Sequence, residues 1–117
     1  MIPNPAPAWW PEHLEVADKT VVVEGLDPFI QLFLAAAAAR HWTMFLKPLI
    51  VTSGKDSIHA LGSKHNVGKA VDIRSRDLDQ DEQDQFAVSM IELQATAKVG
   101  IFDERFIGTP HWHVETA

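Results

Sequence analysis

Cysteine is absent from the 117 residues of this chain, which removes disulfides, thiolate nucleophiles and Cys-ligated metal sites at once. Its absence suits a reducing and an oxidising compartment equally. Any metal must then be held by histidine and carboxylate. Positive charge is scarce: ten Lys and Arg against sixteen Asp and Glu leave a formal charge of −6. No basic block offsets that balance, which argues against duplex nucleic acid or an anionic membrane surface as the partner. Long apolar runs are missing too. The longest, Phe29 to Ala39 with Gln31 interrupting it, falls short of the ~18 residues that span a bilayer. The opening MIPNPAPAWWPEH lacks the basic start and apolar stretch of a signal peptide.

What is present is ordinary for one folded domain, 46% hydrophobic and 22% charged. Residues 1–26 read as a Pro/Trp-rich arm ending in an edge strand, and residues 27–117 as the core of a single domain. The arm holds four of the seven prolines before residue 12, so it cannot be a helix interior. Its Trp9 and Trp10 read as indoles plugged onto the domain, in preference to a ligand-stacking surface. Thr20 to Val23, a β-branched run, is the expected edge strand.

Asp27-Pro28 starts a helix, a capping carboxylate before a proline at the first helical position. That helix continues to Arg40 or beyond and is apolar nearly all round, which predicts burial. Leu49 to Thr52 reads as a strand, Ser53 to Lys69 as a polar loop, and Ala70 to Arg74 as a second strand with Asp72 opposite Val71 and Ile73. A second helix spans Asp79 to Lys98. Asp79 and Glu82 form its capping box, Phe86, Met90, Leu93 and Ala97 its apolar stripe, and Gly100 its stop. Val99 to Phe106 and His111 to Thr116 close the domain as strands. The predicted class is α+β, a small antiparallel sheet with two helices.

Histidine marks the chemistry. Residues two apart on a strand share a face, so His111 and His113 project together with Trp112 opposite. His65 lies in the polar loop and Asp72 in the strand after it, with Gly68 permitting a tight return between them. Two imidazoles and a carboxylate, with a fourth position left for water, are the donor set of a catalytic zinc site. The plainer alternative makes His65 a loop histidine, Asp72 a capping group and His111 and His113 a polar sheet face.

The run Ser63-Lys64-His65-Asn66-Val67-Gly68-Lys69-Ala70-Val71-Asp72, followed by His111-Trp112-His113, resembles the D-alanyl-D-alanine carboxypeptidase and hedgehog-type zinc peptidases, a group that includes small phage endolysins. Val51-Thr52-Ser53-Gly54 is similar to the segment that leads into the family's first motif, and the resemblance covers roughly residues 28–117. It implies a hedgehog/D-Ala-D-Ala peptidase-like fold and zinc (Zn²⁺) bound by His65, Asp72 and His113. It implies His111 as a histidine acting beside the metal, and hydrolysis of a peptidoglycan stem-peptide amide. With no signal peptide, the expectation is cytoplasmic synthesis followed by release to the cell wall or periplasm, or carriage on a virion.

Two positions depart from the family pattern. Relatives often have an acid three residues before the last histidine, where this chain has Pro110. Glu104 is the preferred general base, with Asp103, Glu115 and His111 as alternatives; strand alternation lets only one of Asp103 and Glu104 face the site. Many relatives also place an arginine after the Ser-Gly of the first strand, where Lys55 and Asp56 stand here. Lys55 or Arg74 is the expected substrate-binding cation, though lysine holds a carboxylate as a point charge, not a fork. Both departures suit a rival reading, a non-catalytic zinc-binding module of the same fold.

Other signals carry less. Asp77 to Asp81 alternates like the start of a calcium loop, but Glu82 occupies the glycine position and Val88 the twelfth. Those acids read as a helix N-terminus complementing its dipole. His59 reads as a solvated loop histidine, His41 as a cation near the end of the first helix, and His13 is assigned nothing.

Overall fold

A computed structural model describes residues 1–55 and 63–117. In chain order the elements are β1 (Leu14–Val16), α1 (Pro28–Phe45), β2 (Leu49–Ser53), a 3-10 turn (Lys64–Val67), β3 (Ala70–Arg74), α2 (Gln80–Ala97), β4 (Val99–Glu104) and β5 (His111–Thr116). The class is α+β, as the sequence predicts. The strands form one sheet in the order β1-β2-β3-β5-β4.

The sheet corrects the all-antiparallel expectation. β1 runs parallel to β2 from Leu14 opposite Leu49 to Val16 opposite Val51, while the other pairs are antiparallel. The edge strand is also Leu14–Val16, and Thr20 to Val23 is not a strand. Asp18 explains the difference, because its side chain accepts from both the backbone N–H and the hydroxyl of Thr20 and closes a turn there. Val21 and Val23 still reach the core, as buried side chains on an irregular backbone.

α1 begins as predicted, with the Asp27 side chain accepting from the Phe29 N–H ahead of Pro28. It is not buried all round. Ile30, Phe33, Leu34, Ala37 and Ala38 face the core, whereas Leu32 is 49% and Met44 40% exposed. A helix against one face of a sheet has a solvent side whatever its sequence. α2 has the full capping box, Asp79 accepting from the Glu82 N–H and Glu82 from the Asp79 N–H. Its stripe Phe86, Met90, Leu93 and Ala97 is buried.

Both helices contribute to one hydrophobic cluster against a single sheet face, where Leu49, Val51, Val71, Ile73, Trp112 and Val114 point. Each fully buried aliphatic or Phe side chain contributes about 1.5–3 kcal/mol. Leu14, Val16, Val21, Val23 and Leu26 belong to the same cluster, so the core runs through position 26, and Trp9 and Trp10 pack against it. The Trp10 Nε1–H donates to the Leu14 carbonyl, which fixes the arm to β1. Because side chains alternate across the pleat, the residues between these core positions go to the other face. That face carries Asp72, Arg74, Phe102, Glu104, His111, His113 and Glu115.

His41 corrects a further expectation. It is 2% exposed, with Nδ1–H donating to the Lys47 carbonyl at 2.6 Å and its ring against Phe45 and Phe86. Burial pushes its pKa down. It is a neutral core histidine, not a cation at a helix end.

Candidate metal centre

Register builds the site. In the β3–β5 pair Asp72 stands opposite His113 and Arg74 opposite His111; in the β4–β5 pair Phe102 stands opposite His113 and Glu104 opposite His111. The third element is the 3-10 turn, which delivers His65. Ser63 caps it by accepting from the His65 N–H, and Gly68 ends it at φ +76°. A Cβ on Gly68 would sit 2.3 Å from the Gly25 carbonyl oxygen, so both the turn and the close approach require glycine. Gly54 is similarly pressed on Val22, where a Cβ would meet the carbonyl oxygen at 2.2 Å.

His65, Asp72 and His113 each offer one ligand atom, and all three atoms lie within 4.8 Å of one another. Asp72 Oδ1 is 2.9 Å from His113 Nδ1, 3.4 Å from His65 Nε2 and 3.7 Å from His111 Nε2. In a tetrahedral zinc site with bonds of ~2.0–2.2 Å the donors stand ~3.3 Å apart. The donor chemistry, two nitrogens and a carboxylate oxygen, fits that ion. The far side of each ring is engaged as well. His65 Nδ1–H donates to the Gly54 carbonyl at 2.9 Å, and His113 Nε2–H donates to Glu115 at 3.1 Å. Such partners fix the tautomer that presents a lone pair to a metal. The cluster is consistent with a metal-binding site.

Electrostatics agree with the geometry. Burial alone would raise the Asp72 carboxyl, but the His113 and His65 imidazoles, 2.9 and 3.4 Å from its Oδ1, outweigh it and hold the group well below the carboxylate range. Burial lowers His65 while Asp72 raises it, with a net rise. His113 is raised chiefly by its bond to Asp72, against an opposing effect of burial. Glu115 is lowered chiefly by Lys64.

His111 and Glu104 form a second pair on the same face. His111 Nδ1–H donates to the Thr109 carbonyl at 2.7 Å, and Nε2 lies 2.9 Å from Glu104 Oε1. One proton serves this second contact. Asp103, the neighbouring acid, turns to the opposite side and pairs with Arg105, which lies over the Trp112 ring. The substrate-binding candidates sit differently. Arg74 is forked to Asp77, Nε to Oδ2 at 2.9 Å and a terminal nitrogen to Oδ1 at 3.1 Å. Lys55 lies over Gly25, its Nζ 3.4 Å from where a Cβ there would stand. Asp56 and His59 fall outside the described residues.

The acids of the apparent calcium loop are used otherwise: Asp77 on Arg74, Asp79 as the α2 cap, Asp84 on Arg105. Sequence reasoning missed the carbonyls of Gly54 and Thr109, which carry no residue-type signal. It also missed Phe102, whose ring lies 5.9 Å from that of His113; counting strand register would have found it. No family model matches the chain, and no curated protein matches it. Fold and site together define a small α+β domain bearing a candidate metal centre.

Proposed function

We propose that the chain is a zinc-dependent peptidase that hydrolyses a peptidoglycan stem-peptide amide. The observation that supports this most is the convergence of His65, Asp72 and His113 with the Glu104–His111 pair alongside. Zinc, when bound, supplies Lewis acidity and a nucleophilic water near neutral pH. His65, Asp72 and His113 would hold it, and the aspartate offsets part of its charge. Glu104 takes a proton from the attacking water and returns it to the departing amine as the C–N bond breaks and the C–O bond forms. His111, its Nδ1–H held by the Thr109 carbonyl, keeps Glu104 beside the candidate ligands through Nε2. Phe102, its ring 5.9 Å from that of His113, gives the β4 side of the site an apolar surface.

One observation favours a second reading, a non-catalytic zinc-binding module: the Arg74 guanidinium is already forked to Asp77. Incubating zinc-loaded protein with purified muropeptides and reading the products by mass spectrometry separates the two. Cleaved stems that disappear in His113→Ala support the peptidase. Stoichiometric zinc with no cleavage of any stem peptide favours the module.

A further inference from the structure

Glu115 is one of the acids on the site face, and its position decides what it can do there. It touches the edge of the His113 ring opposite the edge that faces Asp72: Nε2 meets Glu115 Oε1 at 3.1 Å, and Nδ1 meets Asp72 Oδ1 at 2.9 Å. The imidazole therefore stands between Glu115 and the point where the three ligand atoms converge, which removes Glu115 as a base at that point. Its other oxygen is ion-paired with Lys64. Lys64 belongs to the turn that carries His65, and its Nζ also donates to the Thr116 carbonyl at 3.1 Å. One lysine thus ties the element bearing the first histidine ligand to the strand bearing the last.

We propose that Lys64 and Glu115 form an outer relay that positions His113 for the metal, fixing Nε2 as the protonated nitrogen and Nδ1 as the ligand while holding the His65 turn against β5. Both are positioning residues, not catalytic ones. The inference rests on the zinc reading of the site. A carboxylate behind a ligating imidazole sharpens its orientation and basicity, and losing such a partner typically costs 10–100-fold in metal affinity. Glu115 is partly exposed, so its loss should touch the fold far less than the metal.

The test is the zinc dissociation constant, read at fixed pH by competition with a chromophoric chelator, for the full chain and for Glu115→Ala, Glu115→Gln and Lys64→Ala. We expect Glu115→Ala to bind zinc about 10–100-fold more weakly with little change in metal-free melting temperature. Glu115→Gln, whose amide oxygen still accepts from Nε2, should recover part of that loss. The Lys64→Ala loss should be smaller and should not add to that of Glu115→Ala in the double variant. Nitrogen NMR of the zinc-loaded wild type should show the His113 proton on Nε2. Wild-type zinc binding with Glu115→Ala within threefold of it would overturn the relay alone. No zinc binding by the wild type would overturn the site and the relay together.

Discussion

At the scale of single residues, the acid beside His111 carries the sharpest consequence. Glu104 Oε1 is within hydrogen-bond distance of His111 Nε2, whereas Asp103 is turned to Arg105. If Glu104 moves the proton, Glu104→Gln should lower kcat on a muropeptide by about 10²–10⁴-fold, the usual worth of positioned acid–base catalysis. Zinc affinity should change little, since Glu104 is not among the ligands. Asp103→Asn should leave kcat nearly intact, and the reverse pattern would move the proton transfer to Asp103. His41 gives a pH prediction of known sign. Burial holds its folded pKa below the unfolded value of about 6.5, so the unfolded chain binds more protons as pH falls. The His41 contribution is fully present above that unfolded value and is lost as pH drops toward the folded one. In chelator, the urea-unfolding stability gap between wild type and His41→Gln, which keeps an N–H for the Lys47 carbonyl but does not titrate, should narrow from pH 7 to pH 5. A constant or widening gap would contradict the buried neutral histidine.

At the scale of elements, local signals and long-range pairing part company. α2 was legible in its cap and stripe, which lie within its own span, but not in its stop: Lys98 takes the left-handed C-cap at φ 57°, and Gly100 lies inside β4. The Asp79 side chain accepts from the Glu82 N–H at 2.9 Å, and Asp79→Ala should cost about 0.5–2 kcal/mol in urea unfolding; a cost near zero would mean that the cap contributes nothing. β3 and β5 were legible to the residue, because alternation separates Val71 and Ile73 from Asp72, and Trp112 from its flanking histidines. β1 was not. Three residues, Leu14-Glu15-Val16, are too few to show a period, and their parallel partner β2 lies beyond the whole of α1. Thr20 to Val23 had the better strand composition and lost to the turn that Asp18 closes. The candidate ligands His65, Asp72 and His113 were legible from their motif spacing and His111 from sharing a strand face with His113, while the backbone carbonyls behind His65 and His111 had no residue type to announce them. Arg74 was legible as a cation but not as one already held by Asp77, three residues on.

At the scale of the whole molecule, helices cover one sheet face and the candidate centre lies on the other. Its ligands come from a turn before β3, from β3 itself and from β5, so a bound ion would join segments 41 residues apart in sequence, as the Asp72–His113 contact already does. Such an ion stabilises the native state, because the unfolded chain does not present its ligands together. A formal charge of −6 offers no general attraction to an anionic wall polymer, so affinity for one must come from local contacts at the site.

Thermal unfolding of the full chain in chelator and with zinc, alongside a count of zinc per chain at neutral pH, tests whether His65, Asp72 and His113 hold an ion. One zinc per chain is predicted, with a stabilisation of about 2.7 kcal/mol when free zinc is 100 times its dissociation constant. Asp72→Ala should abolish both the stoichiometric ion and the shift. A wild-type chain that holds no zinc and melts identically in chelator and in zinc has no metal centre at these residues.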